Sequence, residues 1–333
     1  MSTPHTAADI TAALVQRGLL RADAEPLPAR PADRPWFIGA VLGFAGWLAG
    51  IFGMAFVWIV FDPSSTGAFV LIGAVLLAAA FGLYKVDRDS AFFDQLALAL
   101  SIAGQIALCA AAGKVTHSSA ASAALIAVVQ CVLAVVMPNT FAKLLAAFFA
   151  CIAWALALRF AWWGDDLFST RNAVAPAPAL LTWALIWTPV MALAWWLATR
   201  EVVWMASGLR RILRPVLSGV LLGLSIGTAF TEPLIVLDFW TSSGPRATNW
   251  LSVWPLLDVA AALVAALCAF RVRNTALVGV AIAASLLHVV QFYFLLGTTL
   301  LVKSAIMLAV GALLLAAGMM LRKRFALAGG SVT

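Results

Sequence analysis

Charge is scarce in this 333-residue chain: Asp, Glu, Lys and Arg make up 11% of it, hydrophobic residues 64%, and mean hydropathy is +1.03. Soluble domains carry about 25% charged residues, so a water-solvated globular fold is excluded and the bilayer becomes the solvent. A net charge of +7 would suggest nucleic acid in a soluble chain. Here the cations flank apolar runs, where membrane topology and contact with anionic lipid explain them, and no nucleic-acid partner is expected. Cysteine is also sparse. Cys109, Cys131, Cys151 and Cys268 fall inside apolar runs at no ligand-like spacing, which argues against a zinc site or a disulfide framework. A His-Glu-x-x-His zinc helix, a Gly-x-Ser-x-Gly elbow and a Walker-type phosphate loop are all expected to be absent. The expectation is a non-enzymatic protein without metal or cofactor.

What fills the chain instead is a series of ten apolar stretches. About 20 residues of helix cross the roughly 30 Å hydrocarbon layer. On that rule the spans are Trp36–Phe61, Gly67–Tyr84, Ala91–Ala112, Ser119–Met137, Phe141–Trp162, Leu180–Thr199, Pro215–Phe230, Leu251–Phe270, Ala276–Leu296 and Thr299–Leu321. Residues 1–35 read as a cytoplasmic tail, in which the weakly amphipathic Thr3–Leu20 forms a short helix and Pro26, Pro28, Pro31 and Pro35 make a linker. No apolar core opens that tail, so it is not expected to be a cleaved signal. Residues 36–321 form the transmembrane domain and 322–333 a second cytoplasmic tail. Of 21 Lys and Arg residues, only Lys114, Arg159, Arg171, Arg246 and Lys303 fall on one side of this scheme. The remaining 16 gather in the tails and alternate connections, as cytoplasmic loops require. Trp58, Trp162, Trp163, Trp240, Trp250 and Trp254 mark the opposite, outer interface. The fold class is an all-α transmembrane bundle of about ten spans with both termini cytoplasmic, in a bacterial inner membrane.

Two glycine patterns stand out. Gly39, Gly43, Gly46, Gly50 and Gly53 recur at spacings of four and three on one face of the first span, and Gly219, Gly223 and Gly227 do so in the seventh. Small residues at these spacings let helix backbones approach closely in lipid, where no hydrophobic drive favours association. Internal helix packing is the reading, with a substrate or partner groove as its alternative. Gly73 in the second span belongs to no such stripe and is expected to tolerate bulk better than Gly46.

Ionisable groups within the layer need partners or water and mark functional candidates. The eighth and ninth spans are antiparallel and turn near residue 273, so Asp258 and His288, equidistant from that turn, fall at one depth. Gln291 lies one turn beyond His288 on the same face, and Glu232 and Lys303 belong to the same outer half. These five form the candidate intramembrane polar site, either a register lock between helices or a proton-linked or substrate site. Gln95, Gln105 and Gln130 are placed to bridge helices.

The run Arg34-Pro-Trp-Phe-Ile-Gly-Ala-Val-Leu-Gly-Phe-Ala-Gly-Trp-Leu-Ala-Gly resembles the opening of the bacterial membrane family known as domain of unknown function 4401. The last span, Thr298-Thr-Leu-Leu-Val-Lys-Ser-Ala-Ile-Met-Leu-Ala-Val-Gly-Ala after Phe292-Tyr-Phe, is similar to that family too, Lys303 and Ser304 matching its Lys-Ser pair. With Gly18-Leu-Leu closing the short first helix, the resemblance covers nearly the whole chain. It implies a partner, a second membrane protein bearing a Gly-Asp-Tyr signature, and no catalytic residue. The leading expectation is therefore an inner-membrane protein of unknown activity working with that partner in an envelope process. The alternative is a ten-helix secondary transporter of the drug or metabolite type, with proton coupling and two inverted five-helix halves.

The charge asymmetry generates the first prediction. A reporter active only outside the cytoplasm should be active when fused after Ser65, Thr116, Asp166, Gly244 or Gly297 and silent after Asp87, Gly208, Asn274 or Ala326. Two fusions on the wrong side would remove the ten-span scheme.

Overall fold

The structure, a computed structural model, describes residue 16 and residues 36–62, 64–86, 91–164, 176–206, 209–228, 254–295 and 299–329. Among these, ten helices follow one another: α1 (Trp36–Phe61), α2 (Thr66–Val86), α3 (Ala91–Thr116), α4 (Ser119–Val136), α5 (Thr140–Trp163), α6 (Pro176–Ala206), α7 (Arg210–Leu222), α8 (Pro255–Arg271), α9 (Thr275–Leu295) and α10 (Leu300–Gly329). A π turn, Gly223–Gly227, extends α7. Gln16 is helical, within the segment expected to be a short helix. The rest of that tail, and the proline linker, lie outside the described residues.

Each expected span has its helix, with edges that differ for physical reasons. Helix α6 is 31 residues long and carries Pro189 in its interior. Proline removes the hydrogen bond to the Leu185 carbonyl, and the Trp154 indole donates to the next one, Ile186 O, at 3.2 Å. Helix α8 starts at Pro255, a residue suited to a first turn because its missing N–H has no helical partner there. Helix α10 runs past Leu321 to Gly329, so much of the expected carboxy-terminal tail continues the last helix. Seven helices, α1 to α6 and α9, are long and apolar enough to cross a membrane. Helix α7 before its π turn has 13 residues and α8 has 17, while the apolar stretch described in α10 is Leu300–Ala309.

Short turns join the early helices. The Asn139 carboxamide accepts from the backbone N–H groups of Phe141 and Ala142 at 2.7 and 3.1 Å and so caps α5. At the opposite end, Lys114 Nζ donates to Ser64 O at 2.8 Å, tying the α1–α2 and α3–α4 turns together. The α8–α9 turn closes with a Schellman pattern: Asn274 N donates to Ala269 O and Arg273 N to Phe270 O, both at 3.0 Å. The left-handed position of this motif is held by Arg273 (φ 56°), where glycine would avoid a cost of about 1–2 kcal/mol.

The interior is built from small residues. Helices α1 and α2 both pack on α3, α4 runs along α5, α5 along α7, and α8 along α9. A Cβ at Gly46 would lie 2.7 Å from the Phe92 carbonyl oxygen and 2.9 Å from Leu96 N, and one at Gly50 would meet the Ala99 Cβ at 2.5 Å. Gly43 faces Gln95, whose Oε1 accepts from Trp47 Nε1 at 2.9 Å. The stripe on α1 is thus helix packing onto α3 as far as Gly50. Gly53 has nothing within 4 Å. On α7, Gly219 meets the Leu144 carbonyl of α5, Gly223 the Cys151 side chain and Gly227 the Trp187 ring. Trp187, fully buried, centres the core of the second half with Leu221, Leu224 and Cys268.

Gly73 corrects the expectation of freedom. Its Cβ would meet Leu108 at 2.8 Å and the Gly104 carbonyl at 3.0 Å, because a single glycine opposite another glycine brings two backbones together without any repeat. The contrast that tests the packing is therefore Gly46 against Gly53. Gly46→Leu should cost about 1–3 kcal/mol by overpacking and lower the yield of monodisperse protein in mild detergent several-fold. Gly53→Leu should match the parent, and equal losses would mean that the stripe does not set the α1–α3 distance.

Candidate functional site

Asp258, on the first turn of α8, and His288, on α9, meet inside the bundle. His288 Nδ1 lies 3.8 Å from Asp258 Oδ2, and both side chains are 1% exposed. That is ion-pair distance rather than a hydrogen bond. The helix start at Pro255 puts the carboxylate where unpaired backbone N–H groups and the positive end of the helix dipole favour a negative charge. Trp183 Nε1 of α6 donates to Asp258 Oδ1 at 3.4 Å. Around the imidazole, Gln291 Oε1 lies 3.4 Å from Nδ1 and Thr228 Oγ1 lies 3.2 Å from Nε2. The Ser225 backbone also hydrogen-bonds the ring. Oxygen atoms thus face both ring nitrogens, so the site can hold a proton at either edge of the imidazole.

The π turn explains how α7 takes part. Wider winding over Gly223–Gly227 displaces the end of α7 by a residue, and such turns recur at functional sites. Ser225 Oγ donates to Leu221 O at 2.8 Å, and Thr228, fully buried, is carried onto His288. Four helices, α6 to α9, therefore converge on one polar group, in the half of the bundle centred on Trp187.

Of the five expected site residues, three assemble: Asp258, His288 and Gln291. Lys303 stands apart on α10, its ammonium 5.1 Å from the Tyr293 ring centroid. Glu232 lies outside the described residues. Thr228, Ser225 and Trp183 complete the site and were not among the expected residues. Thr228 follows Gly227 immediately, at the carboxy-terminal end of a glycine stripe, and that position was its only signal. Arg159, placed among the outer-side cations, is buried at 1% exposure within α5 and belongs to the bundle interior.

The run Gly223-Leu-Ser-Ile-Gly227 carries the letters of the Gly-x-Ser-x-Gly nucleophile elbow, which corrects the expectation that this motif is absent. That elbow requires a strand leading into a helix, whereas here the run is helical throughout and its hydroxyl is turned back onto its own helix. The order Thr228, His288, Asp258 likewise has the form of a hydroxyl–imidazole–carboxylate triad. All three are sealed at 0 to 1% exposure, which leaves no room beside the hydroxyl for a substrate carbonyl. The arrangement suits proton holding better than acyl transfer.

A second polar chain crosses the first half of the bundle. Gln130 Nε2 donates to Gln105 Oε1 at 2.8 Å, and Gln105 Nε2 to Ser101 Oγ at 3.0 Å. This bridges α4 and α3, as expected for these glutamines. Beside it lies an apolar cavity of about 150 Å³ lined by Val70, Leu108, Cys109, Leu125 and Val129.

Helices of this length and composition, packed through glycine and alanine around sealed polar groups, define a multi-pass α-helical membrane protein. Within that class the chain belongs to the family described as domain of unknown function DUF4401, whose model matches residues 35–244 and 245–324. No curated protein and no solved structure matches it.

The geometry predicts strong coupling between Asp258 and His288. Asp258→Leu or His288→Leu alone should each destabilise by about 1–3 kcal/mol, because each leaves its partner buried without a counterpart. The double replacement should recover about 1 kcal/mol or more relative to the sum. Thermal unfolding in detergent measures all four proteins, and additive losses would show that the two side chains do not interact.

Proposed function

We propose that this protein is a small proton-linked secondary transporter of the bacterial inner membrane. The observation that carries the reading is the sealed Asp258–His288 pair, a carboxylate and an imidazole 3.8 Å apart with oxygen partners on both ring nitrogens. A structural lock between helices needs only a hydrogen bond, worth about 0.6–2 kcal/mol in membranes. Two titratable groups at one point, beside a π turn and a helix that carries a proline in its interior, are the components of a site whose protonation is coupled to helix movement. One packing feature bears on the two halves: α1 and α2 both lie on α3, and α6 and α7 both reach α8, although α7 lies chiefly along α5 of the other half. Inverted-repeat transporters are built from matching halves. The match is partial, since α4 packs along α5 while, among the described residues, α10 has no comparable packing on α9. The other reading, a component acting with a Gly-Asp-Tyr membrane protein in an envelope process, rests on family resemblance.

A substrate-free measurement tests the proposal. Proteoliposomes adsorbed on a solid-supported membrane should give a transient charge-displacement current on a pH step. The parent should exceed empty liposomes several-fold, and Asp258→Asn with His288→Gln should abolish the signal while eluting as the same monodisperse species. A parent signal equal to that of empty liposomes would overturn the proton-linked reading, as would a current that survives in the double variant.

A further inference from the structure

We propose that the groove beside the α8–α9 turn is a binding site for one anionic phospholipid. The groove, about 610 Å³, is amphipathic along its length: Trp195, Leu267 and Phe270 form an apolar wall, and Arg271, Arg273 and Asn274 close one end. Among the described residues no acid lines it. The groove on the other side of the same turn shares Arg271 and Arg273 but also holds Glu201, whose Oε1 accepts from Arg214 Nε at 2.8 Å, and it lacks the Trp195–Leu267–Phe270 wall. An apolar wall next to guanidinium groups, with no described carboxylate in the same groove, matches an acyl chain below a phosphate. Arginine is also the side chain suited to a phosphate, through its planar fork of donors.

Two features tie the cations to this place. The Arg271 guanidinium carbon lies 5.5 Å from the Trp195 ring centroid, which holds it over the apolar wall. Arg273 occupies the left-handed position of the Schellman turn, where glycine is the unstrained choice. A backbone that keeps a non-glycine residue in such a conformation points to a role for its side chain. Trp195, Leu267 and Phe270 are each more than 40% exposed on the outside of the bundle, the place where a lipid rather than a helix of this chain would lie. The proposal depends on the membrane class and not on the transporter reading.

The test uses full-length protein in detergent stripped of lipid. Dioleoylphosphatidylglycerol or dioleoylphosphatidylcholine is added, and bound lipid is counted by native mass spectrometry. The parent should retain one phosphatidylglycerol in preference to phosphatidylcholine, and inorganic phosphate at millimolar concentration should not displace it. Arg273→Gly should lower the apparent affinity for phosphatidylglycerol about fivefold, the loss expected for one surface cation. This variant relieves the backbone, so its fold is not at risk. Arg271→Gln with Arg273→Gln should abolish the preference, while Lys85→Gln, a cation on another turn, should keep it. Equal retention of the two lipids by the parent would overturn the site. A preference unchanged in Arg273→Gly, or lost equally in Lys85→Gln, would do the same, the last showing diffuse attraction to surface charge.

Discussion

Close approach of backbones is the constraint on which this structure depends. In lipid the hydrophobic effect gives helices no reason to associate, and each backbone polar group must be satisfied within the helix itself. Association then rests on dispersion, which grows as side chains shrink. That is why Gly46 lies against the Phe92 carbonyl, Gly73 against that of Gly104 and Gly219 against that of Leu144, and why alanine dominates the buried positions of α3, α5 and α8. One added methyl group at these points would have to displace backbone, which cannot yield as a side chain can.

That close packing sets the terms for polar groups. A bundle held by dispersion has little spare space, so each buried polar side chain must find a partner at a fixed distance. Gln95 finds Trp47, Gln130 finds Gln105, and His288 finds Thr228, Gln291 and Asp258. The last group differs in kind. It joins two titratable residues, draws on four helices, and sits where α7 leaves regular winding and α8 begins. The π turn itself is packed at both ends, Gly223 against Cys151 and Gly227 against Trp187.

Much of this was legible in the sequence, because the bilayer imposes length and composition directly. The ten apolar runs became ten helices, and the equal distance of Asp258 and His288 from residue 273 placed them side by side, since antiparallel neighbours joined by a tight turn share depth residue by residue. What was not legible depends on partners far apart in sequence. Gly73 looked unconstrained because the glycine it opposes, Gly104, is on another helix. Thr228 was missed because only the π turn brings it to the imidazole. Arg159, inside the fifth expected span, was counted with the outer-side cations because the run around it gives no sign that its side chain turns inward. With α8 starting at Pro255, Asp258, expected in the outer half of its span, lies on the first turn of its helix, which changes the electrostatics of the site while leaving its position unchanged.

The central claim is that α8 and α9 are registered so that residues 258 and 288 face each other inside the bundle. It is tested most directly by placing cysteines at those two positions in a chain whose four native cysteines are alanine. A protease site in the α8–α9 turn gives the readout. A short bifunctional thiol reagent should leave the two fragments joined after cleavage. Cysteines at 258 and 286, the latter replacing the exposed Leu286, should leave them separate. Separation in both cases, or joining in both, would contradict the register on which the site is built.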